Sequence, residues 1–432
     1  MSLEGEISAS IHDLTHDGRG VAEIDGRAVF VAGALPSEQV LIKARRRRRR
    51  HQEAELLSIV SPAEDRTHAG CEYFGRCGGC ALQHLRYEAQ VRFKQKVVVE
   101  AFTRIGAVAP REWLDPVVGP QWGYRRRARL GVKHVAAKGR VLVGFRERAT
   151  SYVTDMQHCP VLVEPMNEAI GELAAVIGET SIKDRLPQVE VAIGDQRGAL
   201  VLRVLKEPLP ADLAALGAFG EQRGLDIYLQ RGGPGSIAAL TDGCLPLSYE
   251  LEEFGIRIEF APTDFIQINA QINARMVAAA VAFAKRGPAG RVLDLYCGLG
   301  NFSLPLAGIA DELLGIEGEA GLVARAAHNA ERNACTGTKF LTADLAEPGW
   351  AFLREPWDLV LMDPPRTGAE SVVREIATSG ARRIVYVSCH PGTLARDAQR
   401  LVASGYELVA AQIFDMFPHT HHVETMAFFE LA

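Results

Sequence analysis

From about residue 262 onward, apolar strand-like runs alternate with helical stretches, and this rhythm limits the possible folds more than any other feature of the chain. The runs RVLDLYC, ELLGIE, KFLTAD, DLVLMDPP and RIVYVSC are separated by stretches such as GLVARAAHNAERNA and TLARDAQRLVASG. Apolar strands that alternate with helices predict a mostly parallel, doubly wound α/β sheet. No helix separates the last two runs, YELVAAQIF and ETMAFFEL, so the final strand is predicted to be antiparallel.

The rest of the chain predicts two further domains, which suits its 432 residues at roughly 150 residues per domain. Residues 1–62 contain short alternating segments separated by the turn dipeptides Asp17-Gly18 and Asp25-Gly26, a pattern that favours a small β-barrel. Residues 63–261 mix strand-like and helical segments and predict a central α+β domain. The doubly wound domain occupies residues 262–432, and the predicted fold class is multidomain α/β.

The net charge of −5 conceals arginine-rich stretches. Lys43–His51 reads KARRRRRRH, Arg125–Arg129 reads RRRAR, and further arginines lie between Gly139 and Arg148. Concentrated basic patches on an acidic chain indicate a local contact with a polyanion such as RNA or DNA. The alternative is a solvated, arginine-rich surface without a partner.

No apolar run approaches the ~20 residues that a membrane-spanning helix needs. The N-terminus, MSLEGEISASIHDLTHDG, is acidic and polar, unlike a secretory signal. We therefore expect a cytoplasmic protein with no membrane partner. In that compartment, cysteines serve more often as metal ligands or nucleophiles than in disulfides.

The stretch DLYCGLGNFS follows a predicted strand, and its Gly298 and Gly300 let the backbone turn sharply and approach a ligand closely. Glu317, after the next strand, can bind ribose hydroxyls, and Asp344 and Asp363 follow two further strands. Polar groups at the carboxyl ends of adjacent strands predict a ligand site, although helix capping is an alternative role for each acid singly. The absence of G-x-G-x-x-G and of a Walker lysine disfavours a dinucleotide or a nucleoside triphosphate. The arrangement resembles the S-adenosylmethionine-binding fold of class I methyltransferases.

A cysteine and a glutamate complete the predicted site. Cys389, in SCHP, precedes a helix whose N-terminal N–H groups can lower the pKa of its thiol, and a buried structural cysteine is the alternative. Glu424 begins the last strand after FPHTHH, which is interpreted as a polar loop and not as a metal site. Beside a methyl donor, a thiol and a carboxylate suit methylation of uracil C5, because the thiol can add to C6 and the base can remove the C5 proton. The target base must leave its stack to reach both groups.

The motifs TDFIQIN, LDLYCGLGNFSLPLA, DPPR, SCHPGTLARD and HHVET together resemble the RNA uracil-C5 methyltransferases, and LTHDGRGVAEIDGRAVFVAGALPSE resembles the TRAM RNA-binding domain. The resemblance covers essentially the whole chain. It implies transfer of a methyl group from S-adenosylmethionine to a specific uridine of 23S rRNA, with Cys389 as the nucleophile and Glu424 as the base. The cofactor-binding residues that it implies are Gln267, Tyr296, Asn301, Glu317, Asp344 and Asp363.

The resemblance leaves the roles of Phe265 and His390 open. Phe265, in the same motif as Gln267, packs either near the cofactor or the flipped base, or in the core. His390 departs from the family pattern, in which Asn is expected. We expect His390 to alter the surroundings of Cys389 without changing the reaction.

Cys71, Cys77 and Cys80 form a C-x5-C-x2-C pattern, and Cys159 follows far downstream. Four cysteines can hold zinc or a [4Fe–4S] cluster, and the spacing alone leaves the metal open. The pattern is similar to that of the bacterial ribosomal-RNA branch of the family, which implies a [4Fe–4S] cluster with these four residues as ligands. Four ligands leave no open iron, so a structural or RNA-positioning role is expected instead of radical chemistry.

Three other functions fit parts of the sequence. The first is methylation of a different rRNA or tRNA uridine. The second is adenine-N6 methylation, suggested by DPPR, which would leave Cys389 and Glu424 without a role. The third is a non-enzymatic RNA-binding or ribosome-assembly factor, which would bind RNA with a steep salt dependence and turn over nothing. No obligate protein partner is expected.

Overall fold

The computed structural model describes residues 5–47 and 51–432. These residues form two compact units. Unit 1 comprises Met1–Val97, Phe145–Thr154 and Phe417–His422, and unit 2 comprises Val98–Gly144, Asp155–Met416 and Val423–Ala432. The units are groups of packed residues, so the division into domains at residues 62 and 262 stays a prediction.

The described N-terminal strands of unit 1 form one curled sheet of six strands in the order β1-β5-β6-β4-β3-β2. The register shifts between β5 and β6 are irregularities that bend a sheet, and the inner face packs alanine, valine and isoleucine side chains into a core of its own. The predicted Asp25-Gly26 turn is present, with φ of 50° and 72° joining β3 to β4 as a two-residue hairpin requires. The sheet is consistent with the predicted small barrel. Its strands are β1 (Glu6–Ser10), β2 (Asp13–Leu14), β3 (Gly20–Ile24), β4 (Arg27–Val31), β5 (Gln39–Arg47) and β6 (Gln52–Ser61).

The central part of the chain contributes a second six-stranded sheet, which lies in unit 2 and has the order β13-β12-β11-β10-β8-β9. Helix α2 covers β9 with a continuous apolar face that includes Ile170, Leu173 and Ile177. The mixture of strands and helices agrees with the predicted α+β character. The elements here are α1 (Tyr87–Ala101), β7 (Glu112–Trp113), β8 (Arg127–Val135), β9 (Arg140–Gly144), α2 (Met166–Glu179), β10 (Gln188–Ile193), β11 (Gly198–Arg203), α3 (Pro210–Arg223), β12 (Leu225–Gln230), β13 (Ile237–Ala239), and the hairpin of β14 (Leu247–Leu251) and β15 (Ile256–Phe260).

The C-terminal part of unit 2 is a doubly wound sheet in the order β18-β17-β16-β19-β20-β22-β21-β7. The five strands from β18 to β20 are parallel, as predicted, and β19 and β20 are buried at every position, which explains their continuous apolar sequences. The last strand, β22, is antiparallel to β20 and β21, as predicted. The elements are α4 (Ala270–Ala284), β16 (Arg291–Leu295), α5 (Ser303–Ala307), β17 (Glu312–Glu317), α6 (Ala320–Arg332), β18 (Thr338–Thr342), β19 (Leu359–Met362), α7 (Glu370–Ile376), β20 (Arg383–Ser388), α8 (Pro391–Ala403), β21 (Tyr406–Phe414) and β22 (Glu424–Leu431).

The strand order reverses direction at β16, which has β17 on one side and β19 on the other. In open α/β sheets, ligands bind beside such a switch point, outside the carboxyl ends of the strands. Among the helices of the described residues, none is long and apolar enough to span a membrane.

Candidate functional site

The predicted glycine turn links β16 to α5 in a conformation that requires glycine. Gly298 and Gly300 have φ of 56° and 91°, and Tyr296 also adopts a positive φ of 63°, which is unfavourable for a residue with a bulky side chain. A Cβ at Gly300 would lie 3.1 Å from the side chain of Leu304, whereas a Cβ at Gly298 would meet no atom within 4 Å. The turn is therefore packed on one side and leaves open space beside Gly298.

The half-buried amide of Asn301 and the buried carboxyl of Asp294 hold this turn. The Asn301 side chain donates to Asn273 Oδ1 at 2.9 Å, and its own oxygen accepts from Asn273 at 2.8 Å and from the Tyr249 hydroxyl at 2.9 Å. Asp294 accepts a hydrogen bond from the Ser303 hydroxyl, and burial raises the pKa of its carboxyl to about 7. In this structure Asn301 holds the turn, and its predicted contact with a cofactor stays a prediction.

A cleft of about 560 Å³ opens at the carboxyl ends of the strands. Tyr296, Glu317 and Asp344, which follow or end three adjacent strands, all line it. Glu317 accepts hydrogen bonds from the backbone N–H groups of Gly298, at 3.2 Å, and of Gly318, at 2.7 Å. The structure thus gathers three of the predicted cofactor residues around one cavity.

The other two predicted cofactor residues form a pair. The Gln267 side chain donates to Asp363 Oδ2 at 3.3 Å. Burial raises the pKa of the Asp363 carboxyl to about 7. Asp363 follows β19 directly, as the sequence predicts.

The predicted nucleophile and base face each other across two paired strands. Ser388, the last residue of β20, is the register partner of Thr425 in β22, so Cys389 comes directly after one strand where Glu424 begins the other. Glu424 is buried, with 3% of its surface exposed. Burial and the nearby negative charge of Asp363 raise the pKa of Glu424 well above its usual range, against the opposing effect of Arg366.

The predicted lowering of the Cys389 pKa by a helix N-terminus is wrong. Burial, followed by the negative charges of Glu424 and Asp363, raises the pKa of this thiol to about 11. The first turn of α8 is capped by His390, whose Nδ1 accepts a hydrogen bond from the Thr393 N–H at 3.2 Å. The departure from the family pattern at His390 therefore has a local structural role as a helix cap.

Arg366 belongs to this site and was not assigned by the sequence. The positive charge of its guanidinium, together with hydrogen bonding to the thiol, lowers the pKa of Cys389 and so opposes the effect of burial. Its positive charge also faces Glu424. The signal that could have found it is its place in DPPR, three residues after Asp363.

Phe265 is 69% exposed, so the alternative that it packs in the core is wrong. It lies in the loop before α4, two residues from Gln267.

Cys71, Cys77 and Cys80 lie in one loop of unit 1. The Gly79 N–H donates to Cys77 Sγ at 3.3 Å, and burial raises the pKa of the Cys71 thiol against the opposing effect of nearby backbone N–H groups. Arg148 donates to the carbonyl of Cys80 and interacts electrostatically with the side chains of Cys77 and Cys80. Such donors are common around metal-bound thiolates, although they also occur in ordinary turns.

Cys159 is buried in unit 2, and its N–H donates to the carbonyl of Asn167 at 2.9 Å. In the part of the chain that the structure describes, no three histidine, cysteine or acidic side chains are grouped so as to hold a metal ion. The cluster and its four ligands stay a prediction. His419, in the predicted polar loop, is instead buried and bonds to Gln90 within unit 1.

The arginines of the RRRAR stretch form ion pairs and hydrogen bonds within unit 2. Arg126 pairs with Asp195, and Arg129 pairs with Glu190 at 2.9 Å. Arg127 is half-buried, donates to the carbonyl of Pro262 and lies 3.7 Å from Glu190. These contacts favour the alternative of a structural, arginine-rich surface over a polyanion contact at this stretch. Of the Lys43–His51 run, residues 48–50 lie outside the described residues.

A doubly wound sheet in which the last strand, β22, is antiparallel and lies between β20 and β21 is the arrangement of the class I methyltransferase fold. A solved structure, the Pyrococcus abyssi tRNA (uracil-54, C5)-methyltransferase in complex with S-adenosyl-L-homocysteine, has the same overall fold, with a TM-score of 0.76. It is 24% identical, and the match covers 98% of this chain and 100% of that chain. At this identity the likeness shows the fold alone.

The family model described as tRNA (Uracil-5-)-methyltransferase matches residues 86–347 and 353–431. The chain therefore belongs to this family, and the resemblance to uracil-C5 methyltransferases is confirmed. An Alkalilimnicola ehrlichii protein named 23S rRNA (uracil(1939)-C(5))-methyltransferase RlmD is 49% identical over 428 residues, which are 98% of this chain and 96% of that protein. A Methylococcus capsulatus protein of the same name is 46% identical over 430 residues, with coverage of 98% and 97%.

Proposed function

We propose that this chain transfers a methyl group from S-adenosylmethionine to C5 of a uridine in 23S rRNA, at the position, 1939, that the names of its relatives give. The observation that carries the proposal is the pairing of β20 with β22, which puts Cys389 opposite Glu424. A nitrogen methyltransferase needs no thiol there. The near full-length similarity to two proteins of that name supports the choice of RNA.

The chemistry follows from the weak nucleophilicity of uracil C5. The Cys389 thiol gives up its proton to water, and the resulting thiolate adds to C6, which breaks the C5–C6 double bond and makes C5 electron-rich. S-adenosylmethionine, when bound, would supply an electrophilic methyl group to that carbon and leave as S-adenosylhomocysteine. The Glu424 carboxylate then removes the C5 proton, the C5–C6 double bond re-forms, and the C6–S bond breaks to release the thiolate. A carboxyl with a raised pKa is a stronger base once ionised, which suits Glu424 to this step.

The cleft has the side chains that the methyl donor needs. Glu317 lies where it can accept hydrogen bonds from ribose hydroxyls, and Asp344 is exposed and can accept one from an exocyclic amine. The open space beside Gly298 lets a ligand approach the backbone closely. Gln267 and Asp363 form the polar end of the site nearest to the catalytic pair.

The RNA substrate must present its uridine outside the base stack, since neither Cys389 nor Glu424 can reach a stacked base. The exposed ring of Phe265 is suited to stack on an unpaired base, and single-stranded loops are the usual targets of such recognition. We assign the curled N-terminal sheet a TRAM-like RNA-binding role. Because the substrate is ribosomal RNA, we place the reaction in the cytoplasm, and it requires no protein partner.

We also propose a [4Fe–4S] cluster with Cys71, Cys77, Cys80 and Cys159 as its ligands. The Gly79 N–H directed at the Cys77 sulfur, and the positive charge of Arg148 beside Cys77 and Cys80, support thiolates in this loop. The methyl transfer needs no electron transfer, so the cluster has a structural or RNA-positioning role.

Tritium release tests the reaction. A 23S rRNA transcript that carries tritium at uridine C5 should release it to water only when S-adenosylmethionine and Cys389 are both present. Cys389→Ala should reduce release to background while S-adenosylhomocysteine still binds. Cys244→Ala is the matched control, because Cys244 also lies in unit 2 and has no place in the site.

Mapping of RNA fragments then identifies the methylated uridine. Release that persists in Cys389→Ala would exclude the assigned mechanism. Methylation of the transcript without any tritium release would indicate nitrogen methylation instead. RNA binding without methylation of any substrate would leave a binding factor as the function.

A further inference from the structure

The loop that carries Arg366 is fixed by the helix that follows the nucleophile. We call residues 363–369, DPPRTGA, the DPPR loop. Its last N–H, that of Ala369, donates to Asp397 Oδ2 at 2.9 Å. The same carboxylate oxygen accepts the Tyr386 hydroxyl at 2.7 Å. Asp397 is 1% exposed and Tyr386 is fully buried, so this is a strong internal anchor for one end of the loop.

Two further side chains of α8 reach the middle of the DPPR loop. The Thr393 hydroxyl lies 3.3 Å from the carbonyl oxygen of Arg366 and 3.1 Å from that of His390. Arg396 donates to the carbonyl of Thr367 at 3.2 Å and to Asp397 Oδ1 at 2.8 Å. Three loop residues, Arg366, Thr367 and Ala369, thus contact one helix face, whose side chains are spaced three and four residues from Thr393.

The loop also packs against the helix without a gap. Gly368 has a φ of 78°, and a Cβ added there would lie 2.7 Å from Asp397 Oδ2 and 2.9 Å from the Thr393 Cβ. Only glycine permits this approach. The contact leaves the loop little freedom to move away from α8.

The consequence concerns the nucleophile, because α8 begins two residues after Cys389. The Thr393 hydroxyl lies between the carbonyl oxygens of Arg366 and His390, so it links the DPPR loop to the start of α8. The Arg366 guanidinium is close enough to Cys389 to act on its thiol. We propose that Thr393 and Asp397 are positioning residues, which hold the DPPR loop on α8 so that the Arg366 guanidinium stays at the Cys389 sulfur. The importance of this sulfur rests on the proposed function.

A merely structural role for these residues would lower stability but would not change the thiol. The distinguishing measurement is therefore the rate at which iodoacetamide alkylates Cys389 in the full-length chain at several pH values, located by peptide mass spectrometry. The assay uses neither RNA nor methyl donor. A failure of the proposed methylation would appear only in the tritium experiment.

Thr393→Val removes the hydroxyl and keeps the shape of the side chain. With Arg366 no longer held, less thiolate forms at a given pH, so we expect alkylation at pH 8 to slow by about 3- to 10-fold, since one pKa unit corresponds to a tenfold change in thiolate. Thr393→Ser should restore the rate. Gln399→Ala, at an exposed position of the same helix, is the matched control and should react like the unmodified chain.

A double variant tests whether Thr393 acts through Arg366. Arg366→Met should slow alkylation, and Thr393→Val in that background should slow it no further. Tyr386→Phe, which removes one bond to Asp397 and little volume, should slow alkylation in the same direction. Unchanged alkylation in both Thr393→Val and Tyr386→Phe, or a full additional slowing in the double variant, would overturn the proposal.

Discussion

The two proposed catalytic groups, Cys389 and Glu424, are surrounded by features that favour their uncharged forms. Burial is the main cause for Cys389, with a pKa of about 11, and for Glu424, whose pKa lies well above its usual range. A thiol with a raised pKa forms little thiolate at neutral pH, but the thiolate that does form is a strong nucleophile. A carboxylate with a raised pKa is likewise a strong base. The cost is that each must first lose its proton. Arg366 is the described cation that offsets this cost at Cys389.

Glu424→Gln separates the two halves of the reaction. The variant should still form the bond between Cys389 and the RNA and accept the methyl group, but it cannot remove the C5 proton. Turnover should fall by about 100-fold or more, the usual contribution of a positioned base. A covalent protein–RNA adduct that carries radiolabelled methyl should accumulate on a denaturing gel.

The control for this prediction is Glu430→Gln, on the same strand, β22, six residues further along. It should turn over normally and leave no adduct. Near-normal tritium release by Glu424→Gln would assign the base to another residue. The pairing of β20 with β22, which puts Glu424 opposite Cys389, would then no longer support the proposed mechanism.

At the scale of elements, the strand register decides which residues meet. The sequence predicted an antiparallel final strand, because two apolar runs follow each other without a helix. It did not predict that β22 inserts between β20 and β21, since strand pairing depends on which sheet edge is free when the strands assemble. That insertion is what brings Glu424 to Cys389. The two-residue strand β7 is too short to leave any signal in the sequence.

A pair of variants can test whether Asn301 holds the glycine turn or contacts the cofactor directly. If Asn301 serves by holding the turn, Asn273→Ala, on helix α4, should weaken binding of S-adenosylhomocysteine as much as Asn301→Ala does. We expect about tenfold weaker binding for each, because each variant leaves buried polar groups unpaired. Isothermal titration of the full-length chain measures both.

The comparison between the two variants is decisive. A large loss in Asn301→Ala together with normal binding in Asn273→Ala would mean that Asn301 contacts the cofactor directly, as the sequence predicted. Asn269→Ala is not a suitable control, since Asn269 caps the same helix. Asn333→Ala is unsuitable for a similar reason, because that side chain bonds to β15. Gln399→Ala serves here as well.

At the scale of the whole molecule, the sequence predicted what depends on local pattern and missed what depends on distant partners. The alternating rhythm after residue 262 predicted the doubly wound sheet, and Glu317, Asp344 and Asp363 lie at or just after the ends of its strands, while their role as cofactor residues stays a prediction. The ion pairs that the arginines of RRRAR form could not be predicted from a local sequence pattern. Arg129 meets Glu190 because β8 and β10 pair in one register, and a local pattern does not contain that register. The burial that raises the pKa of Cys389 depends likewise on residues far apart in the chain.

The predicted [4Fe–4S] cluster and its four cysteine ligands can be tested by metal analysis. If the four form a [4Fe–4S] cluster, the chain purified without oxygen should contain about four iron and four sulfide ions per molecule. Cys80→Ser and Cys159→Ser should each lose most of the iron, because serine oxygen is a poor ligand for this metal. Cys335→Ser is the control, since Cys335 is distant in sequence from both segments. Both ligand variants should also melt at a lower temperature, because a cluster that binds only the folded chain stabilises it.

Cys159→Ser is the most informative of these variants. Cys159 stands 79 positions after Cys80, so a loss of iron in Cys159→Ser equal to that in Cys80→Ser would mean that one metal centre ties these two distant segments together. Iron that is retained in Cys159→Ser would contradict the proposed ligand set and confine any metal to the loop from Cys71 to Cys80. Zinc without sulfide in the unmodified chain would contradict the cluster itself. Tritium release measured on the same preparations would then show whether methyl transfer needs the metal or only the fold that the metal stabilises.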